Sequence, residues 1–408
     1  MRRVYYGWVI VGVGFGVWFL SGGLRDAFSV FVRPWSDKFG WSVAAISLAV
    51  SIQLLVDAAL APVSGSLADR FGPRRVLVGL MLAMGVGALG IFTLNSVWQL
   101  YLYFGLFIGM AASLGPVTTI LVAQWFEKRR GMGFSIVSMG SHVGTAALAP
   151  ATVAIYGLWG WRAPWLVFGV MALVAVPAVF WLLRRRPPTA ASVLGRGRPP
   201  AAGATLGQAC RTSSFWMIIT GAVICGYTTR SFWLFVIPIG LEGGASTTQA
   251  ALALSLAGIM NVPGLLATGF AVDRFSRQRW LAMLFLIRTI AFLGLVLYLQ
   301  TGQLPLLFGA AALAGFVSRA TGTVFQSMMV NCYGVRSLGS LSGVESMSHQ
   351  VAAAAGALSG GLIFDITGSY VLALFVGVAF LAISIVVSLR IPERKFYSAP
   401  QPVPEASV

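Results

Sequence analysis

Long apolar runs separated by short polar segments dominate the chain. Each run holds about 20 residues or more, the length that a helix needs to cross the hydrocarbon core of a bilayer. The pattern predicts twelve transmembrane helices, over residues 7–32, 43–64, 76–94, 98–125, 133–155, 163–183, 215–239, 249–270, 280–299, 304–330, 338–364 and 370–389. The chain is therefore predicted to be an all-α membrane protein.

One polar stretch, between the sixth and seventh runs, is much longer than the others. Residues 184–211 are rich in Arg, Pro, Gly and Ala, a composition typical of an exposed linker. We therefore expect an N-terminal six-helix half at 1–184, a cytoplasmic linker at 185–212, a C-terminal six-helix half at 213–392 and a cytoplasmic tail at 393–408.

Basic residues are concentrated in every second segment between the runs. With the N-terminus placed in the cytoplasm, the outer loops hold only Arg33, Lys38 and Arg162, and most of the other Lys and Arg residues lie in the inner segments. This asymmetry follows the positive-inside rule and predicts that both termini are cytoplasmic. Short loops and a short chain favour localisation in the plasma membrane of a bacterium, that is, in its inner membrane.

Composition excludes several other classes of protein. Only 10% of the residues are charged and 58% are hydrophobic, whereas a soluble domain carries about 25% charged residues. The net charge of +17 comes from the loops, so we expect the partner to be a lipid bilayer and not nucleic acid. Three scattered cysteines and two histidines give no metal constellation, and no Walker motif is present to bind ATP. We expect a protein that is not an enzyme and holds no metal or cofactor, and we also expect a monomer.

The two halves of the chain repeat each other. The segment Gly65-Ser-Leu-Ala-Asp69-Arg70-Phe71 returns 204 residues later as Gly269-Phe-Ala-Val-Asp273-Arg274-Phe275. At the same spacing Phe31-Val-Arg-Pro34 returns as Phe235-Val-Ile-Pro238. Many secondary transporters consist of two such repeats, with the substrate site between them near the middle of the membrane.

The first copy of this motif, continued by Gly72-Pro73-Arg74-Arg75, resembles the signature loop of the major facilitator superfamily. The resemblance covers the whole chain and implies twelve transmembrane helices in two pseudo-symmetric six-helix halves. It also implies a gating or structural role on the cytoplasmic side for six residues: Gly65, Asp69, Arg70, Gly72, Asp273 and Arg274. The alternative for the arginines is that they only set the topology.

A narrower resemblance is to the monocarboxylate and oxalate–formate antiporter branch. It rests on Tyr6-Gly-Trp8, Phe39-Gly-Trp-Ser42, Trp125-Phe126, Gly160-Trp-Arg162 and Asp365-Ile-Thr-Gly-Ser-Tyr370. That branch implies a carboxylate-binding Arg four residues after a polar residue, but here Leu265 follows Asn261. It also implies a Lys late in the first helix, where this chain has Asp26. Both departures put a small monocarboxylate in doubt as the substrate.

Nine ionisable side chains fall within the predicted spans. They are Arg25, Asp26, Asp57, His142, Arg230, Arg288, Arg319, Glu345 and His349. A charge at the middle of a membrane helix costs about 2.5–3.5 kcal/mol, so such residues usually face a cavity or a partner. Asp26 and Arg230 are 204 residues apart, which predicts an ion pair across the central cavity. This ion pair either closes the outer half of the substrate path or is a permanent structural salt bridge.

The remaining charges divide into anion-binding and proton-carrying candidates. Arg forms a planar fork that matches a carboxylate, so Arg230, Arg319 and Arg25 are predicted to bind substrate together with Asn261. Burial favours the protonated form of an acid, which makes Asp57 and Glu345 candidate proton carriers alongside Asp26.

Two of these proton-carrying candidates keep an alternative role. Glu345 and His349 are four residues apart and share a helix face, so they are a possible acid–base pair. Structural packing is the alternative for His349. For Asp57 the alternative is pairing with the basic loop.

These observations predict a proton-coupled secondary transporter that moves a small organic anion by alternating access. Its partners are then the small-molecule substrate and protons. Two alternatives stay open. Because Leu265 and Asp26 replace the Arg and Lys of the monocarboxylate branch, an efflux carrier for a neutral or amphipathic compound is the first alternative. The second is a non-transporting membrane sensor or assembly factor of the same fold.

Overall fold

The computed structural model describes residues 6–125, 130–183, 203–334, 337–392 and residue 396. Within these ranges the protein is built of long helices. The twelve that follow the predicted runs are α1 Gly7–Phe39, α2 Val43–Phe71, α3 Pro73–Phe92, α4 97–125, α5 Arg130–Trp159, α6 Ala163–Leu182, α7 Ser213–Glu242, α8 Thr247–Arg274, α9 Arg277–Thr301, α10 Leu304–Tyr333, α11 Leu338–Thr367 and α12 Val371–Arg390. Among the described residues ten helices are long and apolar enough to cross a membrane, and α4 and α5 complete the set.

Capping residues explain where several helices begin and end. Ser42 and Thr212 accept hydrogen bonds from the first-turn amides of α2 and α7, and Ser246 forms a capping box with Gln249 at the start of α8. Gly40 ends α1 in the left-handed conformation, with φ 68°. Helix α1 therefore extends seven residues beyond its predicted end at residue 32.

Three of the helices are interrupted inside the bundle. Helix α1 tightens to a 3₁₀ turn at Phe28–Phe31, just before Pro34, whose ring excludes a regular hydrogen bond four residues back. Helix α4 contains a π-helical stretch and breaks at Ser113, three residues before Pro116. Helix α10 breaks at Arg319 without a proline. The apolar runs did not predict the break in α10.

The segment predicted to be the signature loop is mostly helical. Residues 65–71 continue α2 to its end, and only Gly72 leaves the helix, with φ 86°. Pro73 then begins α3, because proline suits the first helical position. The second copy behaves in the same way, since α8 continues through Arg274. The loop prediction was wrong because a helix continues past its apolar run when its polar side chains reach water.

The end of the predicted linker also differs from expectation. Residues 184–202 lie outside the described part of the chain, but residues 203–212 pack against the second half. They include a short helix, Leu206–Ala209, and the Ala204 amide donates to the Tyr333 carbonyl at 2.8 Å. Ala204 and Ala209 are buried, so these ten residues are not an exposed linker.

Two six-helix halves pack in the same manner. In the first half α5 lies against α1, with Gly140 and Gly144 on the α1 backbone; in the second half α11 lies against α7, with Gly356 on the Tyr227 carbonyl. Small residues allow such close contact between membrane helices. The halves meet where α2 packs against α11 and α5 against α8. The predicted pseudo-symmetric arrangement is confirmed.

The bundle has two chemically different ends. One end of the bundle carries Gly72, which connects α2 to α3, and the connection between α8 and α9. We call this end the basic face. We call opposite face the end that carries the connections 40–42, 93–96, 160–162, 243–246, 302–303 and 368–370. Large apolar side chains, such as Val174 and Leu266, are exposed on the outer surface between the two ends, as contact with lipid requires.

Candidate substrate cavity

A cavity of about 380 Å³ lies between the two halves. Its walls come from α1, α2, α4 and α5 of the first half and from α7, α10 and α11 of the second. This volume is within the range of small-molecule sites. The lining continues toward the basic face through Ala61, Gly322 and Ser346, of which Ser346 is exposed.

Direct contacts between the halves close the cavity toward the opposite face. Ser29 donates to the Leu234 carbonyl at 2.6 Å, and Ser51 donates to the Ala354 carbonyl at 2.7 Å. The Asp365 carboxylate on α11 accepts from two amides at the start of α2, each at 2.8 Å. A carboxylate at a helix N-terminus is stabilised by the helix dipole. These bonds seal α2 against α11 on this side.

The ion pair predicted from the repeat is present. Arg230 on α7 and Asp26 on α1 approach to 3.4 Å between Nη1 and Oδ1, and both line the cavity. Thr145 on α5 donates to the second oxygen of Asp26 at 2.7 Å. Little of either charged side chain is exposed, 13% for Arg230 and 19% for Asp26. Three helices from both halves therefore meet at this pair.

Two further arginines line the cavity, and neither has a carboxylate partner among the described residues. Arg25 donates through Nε to the Ser21 carbonyl at 3.2 Å, within its own helix. Arg319 sits at the break in α10, and its side chain is exposed to the cavity. Within the described part of the chain no carboxylate oxygen comes within 4.0 Å of either guanidinium. One of these arginines belongs to each half.

Asp57 links the halves through hydrogen bonds to Gln350 and Ser113. Its Oδ2 accepts from Gln350 on α11 at 2.9 Å, and its Oδ1 accepts from Ser113 on α4 at 3.3 Å. Asn261, its repeat mate, is buried and donates to the Ala257 carbonyl at 3.1 Å. The cavity lining includes Asp57 but does not include Asn261.

Glu345 and His349 both face the cavity from α11. Glu345 Oε2 accepts from Gln326 on α10 at 3.0 Å, and Gln326 in turn accepts from Ser342 at 2.7 Å. His349 Nδ1 lies 3.4 Å from the amide oxygen of Gln350. A continuous polar stripe thus runs along α11 from Ser342 to Gln350. His142 lines the cavity from α5.

The signature residues lie at the basic face and not at the cavity. The Arg70 guanidinium lies 5.2 Å from the ring centroid of Phe71, and that of Arg274 lies 4.1 Å from the ring of Phe270. Gly65 and Gly72 belong to the end of α2 and its turn. The side chains of Asp69 and Asp273 are outside the part of the chain that is described.

Arg288 is not part of the cavity lining and ties α9 to its neighbouring helices. From α9 it donates to Thr228 Oγ1 at 3.2 Å and to the Val317 carbonyl at 3.1 Å, beside the break in α10. Cavity residues that the sequence pattern did not reveal are Ser113, Cys225, Ser346 and Gln350. Their only signal in the sequence is a polar side chain within an apolar run.

Comparisons with known proteins agree with this architecture. The family model described as Major Facilitator Superfamily matches residues 14–302 and 221–406. The chain is similar in fold to the crystal structure of a bacterial homolog to the human lysosomal transporter Spinster, in an inward-facing and occupied conformation. The TM-score is 0.78 at 17% identity, covering 95% of this chain and 97% of that chain.

Relatives with similar sequences include transporters from bacteria and mammals. An uncharacterised MFS-type transporter of Bacillus subtilis (strain 168), YcxA, is 25% identical over 371 residues, 90% of each chain. Monocarboxylate transporter 12 of Mus musculus is 24% identical over 440 residues, covering 98% of this chain and 89% of the relative. Monocarboxylate transporter 2 of Homo sapiens is 32% identical over 177 residues, covering 42% of this chain and 36% of the relative. The chain therefore belongs to the Major Facilitator Superfamily, whose members are multi-pass membrane transporters.

Proposed function

We propose that the protein is a proton-coupled secondary transporter of a small organic anion. The observation that carries this proposal is the presence of two guanidinium groups, Arg25 and Arg319, in a cavity between the halves with no carboxylate in contact among the described residues. An ion inside a membrane protein needs a counter-charge or water. A substrate carboxylate supplies that charge and accepts paired hydrogen bonds from the planar guanidinium.

The anions already in the cavity do not satisfy these two arginines. Asp26 is engaged by Arg230 and Thr145, Asp57 by Gln350 and Ser113, and Glu345 by Gln326. Arg230, which the sequence pattern placed with the anion-binding residues, is better assigned to the ion pair with Asp26. We therefore assign substrate binding to Arg25 and Arg319, with Trp18 and Trp233 as apolar walls.

Alternating access is the transport mechanism that fits a cavity closed at one end. The halves 1–184 and 213–392 would rock about the cavity, breaking the α2–α11 contacts at the opposite face. The positive-inside rule assigns the basic face to the cytoplasm, so the present state is inward-open in a plasma membrane, with both termini cytoplasmic. The monocarboxylate transporters among the relatives support the proposal that the substrate is an organic anion. Since Leu265 replaces the branch's arginine, this chain would bind its anion through different residues.

Uptake into proteoliposomes tests the proposed function directly. The purified protein is reconstituted, a pH gradient is imposed, and a panel of labelled organic acids is compared with neutral amphipathic compounds. We expect accumulation of one or more acids that requires the gradient and disappears with a protonophore. Gradient-driven movement of the neutral compounds alone would favour the efflux carrier, and no movement of either would favour the non-transporting alternative.

Replacing Glu345 with Gln is expected to separate transport from proton coupling. Glu345 faces the cavity beside His349, so the loss of its titratable proton should reduce gradient-driven uptake about tenfold or more, whereas exchange of substrate across the membrane at equal pH should persist. The measurement is initial uptake with a gradient and counterflow without one. Asp37→Asn, at an exposed carboxylate on α1, is the matched control. Equal loss of both activities would contradict a specific coupling role.

A further inference from the structure

Arg288 is a buried cation whose hydrogen-bond partners are mostly neutral. The residue is 1% exposed and lies behind the cavity wall, on α9. Its guanidinium donates to the carbonyl oxygens of Val317 and Cys225, at 3.1 and 3.4 Å, and to Thr228 Oγ1 at 3.2 Å. These bonds engage both terminal nitrogens of the guanidinium but supply no negative charge.

A buried guanidinium without a counter-charge is strongly destabilising in a low-dielectric environment. Among the described residues no carboxylate oxygen lies within 4.0 Å of Arg288. One ionisable group does contact it. Cys225 Sγ lies 3.3 Å from Arg288 Nη1, a distance at which a thiolate and a guanidinium form an ion pair.

The rest of the Cys225 environment also suits a sulfur anion. Thr321 Oγ1 lies 3.1 Å from the sulfur and is able to donate to it, and His349 on α11 lines the same cavity. Arg319 on α10 and Glu345 on α11 are charged groups of the same cavity lining. The sulfur therefore contacts a cation on α9 and a hydroxyl donor on α10.

Cys225 also belongs to the cavity wall. Its side chain lies between Arg288, which is not part of the lining, and the space between the two halves. Cys225 is itself buried, with 2% of its surface exposed, and the other two cysteines differ from it in position. Cys332 is fully buried outside the cavity lining, and Cys210 is partly exposed near the end of the linker.

We propose that Cys225 is held as a thiolate, the counter-ion of Arg288, and is a covalent modification site for small electrophiles that enter the cavity. The thiolate, not the thiol, is the nucleophile in such reactions. With iodoacetamide the sulfur forms a bond to the methylene carbon and iodide leaves with the electrons of the carbon–iodine bond. No proton is transferred in this step, because the sulfur carries none.

The three cysteines of wild-type protein allow an internally controlled test. The folded protein is treated with iodoacetamide between about pH 6 and pH 8.5, and the modified fraction at each cysteine is followed by peptide mass spectrometry. We expect the rate at Cys225 to change less than about threefold over this range, whereas a thiol that titrates slows about tenfold for each pH unit below its pKa. A tenfold slope at Cys225, or no modification of Cys225 while Cys210 reacts, would overturn the proposal.

A pair of variants links this reactivity to the proposed counter-ion. Arg288→Met is expected to slow modification of Cys225 at neutral pH by about tenfold or more. Arg279→Met removes an exposed arginine from the same helix and should leave the rate unchanged. An unchanged rate in folded Arg288→Met would contradict the ion pair. The wild-type pH profile decides the proposal even when that variant does not fold.

Discussion

Arg319→Met is expected to reduce transport of the organic anion by roughly 10- to 100-fold. A hydrogen bond to a charged group contributes about 1.5–3 kcal/mol, and about 1.4 kcal/mol corresponds to a tenfold change in affinity. Arg319 faces the cavity with no carboxylate partner among the described residues, so its main contribution should be to bind the substrate. The loss should appear as a raised KM in initial-rate uptake by proteoliposomes.

Two further variants define the role of Arg319. Arg319→Lys keeps the charge but not the planar fork, so it should retain part of the activity. Arg279→Met, at an exposed position on α9, should transport as wild type does. Wild-type KM and rate in Arg319→Met would remove this residue from the substrate site.

Asp26→Asn is expected to destabilise the protein and to reduce transport more than tenfold. The substitution leaves the Arg230 guanidinium in the membrane interior without its carboxylate, and breaking one side of a buried ion pair costs about 3 kcal/mol or more. A combined Asp26→Arg and Arg230→Asp exchange restores opposite charges and should recover part of the lost stability. Thermal unfolding in detergent and uptake are the two measurements.

The matched control for this variant lies on the same helix. Asp37 pairs with Arg33 at 3.6 Å, but its side chain is 69% exposed. Surface ion pairs contribute about 0–1 kcal/mol, so Asp37→Asn should change neither stability nor uptake measurably. Equal behaviour of the two Asn variants would show that the Asp26–Arg230 contact contributes little.

The sequence predicted the fold well because a bilayer restricts the possible structures. Apolar length identified the helices, and the 204-residue repeat by itself predicted that Asp26 lies opposite Arg230. Asp57 and Asn261 are also 204 residues apart, but only Asp57 lines the cavity. A repeat fixes the depth of two residues in the membrane, but the local rotation and packing of each helix decide what each side chain contacts.

Features that depend on distant parts of the chain could not be predicted from local patterns. The break in α10 at Arg319 has no proline, and there Arg288 from α9 binds the Val317 carbonyl. Gln350 meets Asp57 only because α11 packs against α2. Some helices were also predicted to be too short. Residues 65–71 continue α2, but the length of an apolar run does not show where polar residues extend a helix.

The central claim is that the α2–α11 contact at the opposite face must open in each transport cycle. A disulfide between these helices tests it most directly. Ser51 and Ala354 are in contact across the halves, and Ser51→Cys with Ala354→Cys changes little volume. We predict that oxidation of the double variant reduces uptake about tenfold or more, that a reductant restores it, and that neither single variant responds. Full uptake with the cross-link verified by mass spectrometry would contradict the account.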